Sequence, residues 1–166
     1  MAYLLDANVF IQAKNLHYGM DFCPAFWDWL DVENQASRVF SIEKVGDEIK
    51  AIADGLSVWA GARPSGFFLG VEPAMLATLA TVSAWATGQQ YEPGAVSAFL
   101  QVADYYLVGQ ALALGYTVVT HEVASTSTKK VKVPDACIGL GIKCVTPWDM
   151  LGNSRARFVL GQAGVP

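Results

Sequence analysis

The chain has 166 residues, of which 53% are hydrophobic and 16% charged, and a formal net charge of -4. That length fits one domain, and the apolar excess supports a sizeable core and excludes a disordered chain. The acidic balance argues against a protein that coats nucleic acid by phosphate neutralisation, but not against a carboxylate site whose bound cation restores local attraction for phosphate.

The first expected element is a short strand, Ala2 to Leu5, ending at Asp6. A helix follows from about Asn8 to Leu16, and Pro24 opens another carrying Phe26, Trp27 and Leu30. Arg38 to Ser41 reads as the second strand, with Ser41 as an N-cap for a helix running to about Ala53. The stretch from Gly55 to Leu100 reads as helical and irregular, broken by Gly and Pro. A clear helix covers about Ala103 to Leu114 and stops at Gly115, a good residue for a left-handed terminus. Tyr116 to Thr120 is a β-branched strand, and Val131 to Val133 reads as an edge strand or a loop. Ile142 to Val145 is a last short strand, followed by a helical turn at Pro147 to Leu151. Strands alternating with helices imply a parallel sheet with right-handed crossovers, whose ligands bind beyond the carboxyl ends of the strands. Residues 1–151 are expected to form the domain and residues 152–166 a Gly-rich C-terminal tail.

Three cysteines, Cys23, Cys137 and Cys144, form no CxxC pair and read as free thiols in a reducing compartment. Two histidines, His17 and His121, leave little material for a His-based metal site or a Ser-His-Asp triad. The N-terminus reaches Asp6 without a basic segment, unlike a signal peptide. Ala74 to Ala86 is too short to span a bilayer. A cytoplasmic protein with no membrane partner is expected.

Four acids stand out. Asp6 and Glu122 follow strands, where chemistry collects in such sheets, although a helix cap and a surface loop are the respective plain alternatives. Asp104 shares a helix face with Leu107, Val108 and Ala111, so it points toward the core or a cleft unless it merely caps the helix. In the helix after Ser41, the apolar stripe Ile42, Val45, Ile49 and Ile52 leaves Glu48 about 80° from its centre. Glu43 and Asp47 lie about 140° and about 180° away, so Glu48 is the candidate. Four carboxylates in one cleft stay ionised only if a cation compensates, and oxygen donors without His or Cys select Mg²⁺ or Mn²⁺.

These residues resemble the PIN-domain family over nearly the whole chain. Tyr3-Leu4-Leu5-Asp6-Ala7-Asn8 is similar to its first motif, and Ser41 to Ile49, with Glu48, to its second. Asp104 to Glu122, an Asp-led helix, Gly115, a strand and Thr120-His121-Glu122, is similar to the third and fourth. Glu122 departs from the Asp that many members carry. The branch resembled is a set of bacterial proteins of poorly defined function that look like the VapC-type toxins of toxin–antitoxin pairs.

The resemblance implies a PIN-like three-layer α/β/α sandwich around a parallel sheet of four to five strands. It also implies a metal-dependent endoribonuclease with Mg²⁺ or Mn²⁺ held by Asp6, Glu48, Asp104 and Glu122. Asp6 and Asp104 would bind directly, Glu48 and Glu122 through water, with Asn8 and Thr120 orienting them. Asp135, in Val133-Pro134-Asp135-Ala136-Cys137, is either a further acid at the site or the start of a short helix. Lys129, Lys130 and Lys132, with Lys143, would hold the RNA backbone or simply solvate a loop. Trp27, Trp29, Trp59, Phe67 and Phe68 read mostly as core, and one exposed aromatic could stack a base. RNA, an antitoxin protein and a second copy of the chain are the implied partners, the last through Phe67 to Leu69 and Met75 to Leu79 unless, as the plainer reading has it, these are core.

A haloacid-dehalogenase-type phosphatase also opens with an apolar strand and Asp, but needs a second acid where this chain has Asn8. A PIN scaffold that has lost activity and binds RNA or protein, and a DNA-cleaving enzyme, are the other readings.

Overall fold

The computed structural model describes residues 1–159. Five strands carry the architecture: β1 (Tyr3–Leu5), β2 (Val39–Ile42), β3 (Phe68–Leu69), β4 (Thr117–Val119) and β5 (Cys144–Val145). All neighbouring pairs are parallel, in the order β3-β2-β1-β4-β5, with Tyr3 opposite both Val39 and Thr117. β1 is buried throughout, as a strand covered on both faces must be.

The helices are α1 (Ala7–Gln12), α2 (Pro24–Gln35), α3 (Glu43–Lys50), α4 (Gly55–Gly61), α5 (Leu76–Gly88), α6 (Pro93–Leu100), α7 (Ala103–Leu114), α8 (Val133–Leu140) and α9 (Pro147–Asn153). α1 continues into a wider turn over Ala13–His17, and a tight turn over Pro73–Met75 leads into α5. Connections from β1 to β2 and β2 to β3 step one way across the sheet, and those from β3 to β4 and β4 to β5 step the other way. Right-handed crossovers therefore put the two sets of helices on opposite faces, which gives the three layers. α5 to α8 pack on one another on one side, and α3 packs with α1 and α4 on the other. The sequence expectation of an α/β sandwich with four to five parallel strands is met with five.

Local chemistry explains the element ends. Prolines occupy the first turn of α2, α6, α8 and α9, where a missing N–H costs nothing. Gly115 ends α7 at φ +67°, a conformation an L side chain resists. Asp54 and Thr146 build reciprocal capping boxes at α4 and α9.

Four local expectations are corrected. Ser41 is not a helix cap: it lies buried inside β2 and its hydroxyl donates to the Leu5 carbonyl at 2.6 Å, while Ile42 takes the cap position. α3 ends at Lys50, so Ile52 is exposed and adds nothing to the apolar stripe. Val131 to Val133 is not an edge strand: Val131 and Lys132 are loop, the other reading, and Pro134 sets Val133 as the first residue of α8. The irregular middle hides β3, two residues long and too short for a strand period to register.

Cys23, Cys137 and Cys144 are free thiols. Among the described residues no helix is long and apolar enough to cross a membrane. Past Leu151, α9 runs on to Asn153 and the Phe158 ring packs against Tyr18 and Phe26; residues 160–166 of the expected tail lie outside the described residues.

Beneath the sheet, Phe10, Trp59, Phe67 and Phe68 form an aromatic cluster with centroid separations of 5.0 to 6.4 Å. Phe67 is fully buried at its centre. Phe67→Ala should cost ~3–5 kcal/mol, a large share of a domain's stability, and lower the melting temperature by many degrees. A shift of only a degree or two in thermal unfolding would contradict this packing.

Candidate active site

β1 and β4 are neighbours whose outgoing connections run in opposite directions, so a crevice opens beyond their carboxyl ends. Asp6 leaves β1 into this crevice. It occupies the cap position of α1, yet its side chain caps nothing there. Instead its Oδ2 accepts from Thr120 Oγ1 at 2.7 Å and from Asn8 Nδ2 at 2.6 Å. Asn8 Nδ2 also reaches Thr120 Oγ1 at 2.9 Å, and Asn8 Oδ1 accepts from the His121 backbone at 2.9 Å. Thr120 Oγ1 accepts in addition from the Glu122 N–H at 3.1 Å. Asn8 and Thr120 thus hold the Asp6 carboxylate and tie β1 to the segment after β4.

One cavity of about 420 Å³ is lined by Asp6, Asn8, Glu48, Asp104 and Glu122, with Lys129 and Lys130 at its edge. Its apolar wall comes from α1 and α6, chiefly Ile11, Ala95 and Phe99. Four acids separated by up to 116 residues in sequence, from Asp6 to Glu122, therefore share one space. Asp104 sits in the first turn of α7, where the helix dipole favours a negative charge.

Electrostatics mark the same grouping. Asp6 is only 5% exposed, and burial pushes its carboxyl from 3.8 up to about 6 against the opposing Thr120 hydrogen bond, with Glu122 and Glu48 adding repulsion. Burial likewise pushes Asp104 up to about 6, helped by Asp6 and Glu122 and opposed by Lys130 and Lys132. Glu48, at the open side, is raised by burial and by Asp104.

Glu122 behaves differently. Burial would raise its carboxyl, but hydrogen bonds from Lys132, the Val133 N–H and Lys130 outweigh that and lower it. Its Oε1 accepts from Lys132 at 2.9 Å and Lys130 at 3.0 Å, and its Oε2 from the Val133 backbone at 3.0 Å. Val133 is the first residue of α8, so Glu122 also neutralises a helix N-terminus. The sequence reading did not assign Val133 this part; the signal was Pro134, which marks the residue before it as a helix start with a free N–H.

Asp135 is not brought to the cavity. It starts α8, the alternative reading, and its carboxylate accepts from the Ser125 N–H at 3.0 Å, fastening the loop that carries the lysines. Lys130 and Lys132 are turned onto Glu122, not free in that loop. His121 lies beside the site with its imidazole lowered by burial and by His17.

The donor set is all carboxylate, the chemistry of a hard divalent cation. Among the described residues, however, no three His, Cys, Asp or Glu side chains stand close enough to hold one ion together. Asp6 and Asp104, with Glu48 beside them, fit a cation that binds through one or two carboxylates and keeps several waters. Glu122 fits less well while two lysines occupy it.

The five-stranded parallel sheet with helices on both faces is that of a PIN-like α/β fold. FitAcB from Neisseria gonorrhoeae, known as a crystal structure, is similar at a TM-score of 0.55 and 18% identity, over 88% of this chain and 98% of that one, a likeness of fold. The model of a family described as a domain of unknown function, DUF4411, matches residues 3–158, and the chain belongs to that family. No curated protein matches it.

The buried Asp6 has a consequence for stability. Between its ordinary 3.8 and about 6, the folded state keeps a proton that the unfolded chain has released. Without metal, this group therefore costs stability progressively as pH rises from about 4 to about 6, and the full cost stands above that. Asp6→Asn stays neutral and keeps an oxygen for Thr120 and Asn8. In the presence of a chelator it should stabilise the protein by ~1–3 kcal/mol at about pH 7.5 and by almost nothing at about pH 4. Equal melting shifts at both pH values would refute the assignment.

Proposed function

We propose that the protein is a metal-dependent endoribonuclease that hydrolyses RNA phosphodiester bonds, and that it acts as the toxin of a toxin–antitoxin pair. The observation that carries this reading is the single cavity shared by Asp6, Glu48, Asp104 and Glu122 at the crevice between β1 and β4. Belonging to DUF4411 names no activity, and the likeness to FitAcB supports the fold on which the reading rests.

Asp6 and Asp104 would hold Mg²⁺ or Mn²⁺, with Glu48 and Glu122 acting through water. When bound, such a cation supplies Lewis-acid neutralisation of the charge that develops on the phosphate. The chain's own residues do the positioning. Thr120 and Asn8 fix the Asp6 carboxylate by two hydrogen bonds to one oxygen. Ile11, Ala95 and Phe99 keep one wall of the cavity dry, which strengthens every charge interaction inside it. Lys129 and Lys130 at the rim would meet the RNA backbone, joined by Lys132 when the pair leaves Glu122. The RNA, the antitoxin, a second copy of the chain and a cytoplasmic location belong to this reading.

A second reading has its own support. The lysine pair on Glu122 and the spacing of the acids also suit a scaffold that binds RNA or a protein partner with little catalysis. Cation binding separates the two: an enzyme should gain ~2–4 kcal/mol of stability at Mn²⁺ concentrations far above its dissociation constant, and a scaffold almost none.

The deciding experiment is cleavage of defined RNAs with Mn²⁺ by the native protein and by Asp6→Asn and Asp104→Asn. Both variants should lose ~100-fold or more in rate, since the outer-shell supports of a metal site alone are worth ~10–100-fold. Undiminished cleavage by either would remove this mechanism, and no cleavage by the native protein would favour the scaffold.

A further inference from the structure

Both histidines of the chain, His17 and His121, lie outside the carboxylate cavity, yet the fold brings them together. Their ring centroids are 5.6 Å apart. Trp148 stands edge-on to His17 at 4.8 Å and lies 5.9 Å from His121. The three rings come from separate elements: the end of the wide turn after α1, the segment leaving β4, and the first turn of α9 just beyond β5. They converge at the carboxyl end of the sheet, the side on which the acids gather.

Core packing does not account for this group. Trp148 is 48% exposed, whereas Trp27 is 4% exposed. None of Trp27, Trp29, Trp59, Phe67 and Phe68 is an exposed side chain, whereas Trp148 is. The group is rigidly backed, because Tyr18 lies 6.2 Å from Trp148 and stacks on the buried Phe26 at 4.4 Å and 11°. It is also tied to the site, since the His121 N–H donates to Asn8 and Asn8 holds Asp6.

We propose that His17, His121 and Trp148 form a stacking site for an unpaired base of single-stranded RNA, seating a nucleotide beside the one whose phosphate enters the carboxylate cavity. The proposal rests on the ribonuclease reading of that cavity and names how its substrate is held. The chain's net charge is -4, and Lys130 and Lys132 must leave Glu122 before they can meet phosphate, so rim lysines alone leave part of the grip on RNA to uncharged contacts. Stacking needs no such charge, because every base offers a π-face. The imidazoles add N–H donors and ring nitrogen acceptors for base edges, which a purely apolar protein-docking patch would lack.

The test is direct binding of a labelled single-stranded RNA, followed by fluorescence anisotropy, with the full chain carrying Asp104→Asn so that the RNA stays whole. Trp148→Ala in that background should weaken binding about tenfold, as expected for loss of one stacked base. The loss should persist at high salt, and Trp148→Phe should recover most of it. His17→Ala should weaken binding in the same direction. Unchanged affinity in Trp148→Ala, equal losses in the Ala and Phe variants, or no RNA binding by the Asp104→Asn protein would each overturn the proposal. The two readings fail separately. RNA bound through Trp148 but never cleaved by the native protein would leave the stacking site and remove the nuclease, while cleavage with binding indifferent to Trp148 would do the reverse.

Discussion

The arrangement depends on one hydrogen-bonded pin. Thr120 and Asn8 both donate to a single oxygen of Asp6, across two neighbouring parallel strands, in a place almost closed to water. A carboxylate there has given up most of its hydration, and two neutral donors return only part of what was lost. The remainder shows in the direction of its proton affinity. The fold thus keeps a carboxylate where folding alone gives no reason for one, and such stored cost is usual at sites that act on something else.

The charges around Asp6 fall into two groups with different counter-ions. Glu122 is satisfied from within the chain by Lys130, Lys132 and the start of α8. Asp6, Asp104 and Glu48 raise one another or are raised by burial, and the lysines reach Asp104 only as a weaker opposing influence. The cavity is therefore neutralised on its β4 side and under-compensated on the side of α3 and α7. On the proposed reading, a cation arriving from solvent would gain most where that deficit lies, at Asp6 and Asp104. Glu122 has a structural duty there, because its side chain reaches from the segment after β4 to the N-terminus of α8.

What was legible in the sequence depended on how local the cause was. Gly115 and the prolines opening α2 and α9 act through their own backbone, and the chain ends and starts helices where they stand. Asp104 was legible because three apolar residues on its face fix its direction. Glu48 was legible for a reason only partly sound, since Ile52 had been counted in a helix that stops at Lys50. Ser41 misled because a hydroxyl before a helix resembles a cap, and its true partner, the Leu5 carbonyl, is 36 residues away. The partner of Lys130 and Lys132 was out of reach for the same reason. A basic loop reads as solvated or phosphate-seeking until the fold carries Glu122 beneath it. Asp135 was ambiguous for want of a partner, and that partner is a backbone N–H in a loop with no periodic pattern.

The segment Thr120-His121-Glu122 shows how a short stretch serves several ends at once. Side chains alternate in direction as a chain leaves a strand. Thr120 turns to Asp6 and Glu122 to the lysines and α8, while the His121 ring joins His17 and Trp148. The His121 backbone closes the circuit by binding Asn8. A nucleic acid laid across this edge would therefore meet flat aromatic surface and carboxylate cavity at a separation set by adjacent residues of one backbone. No loop closure is needed to bring them into register.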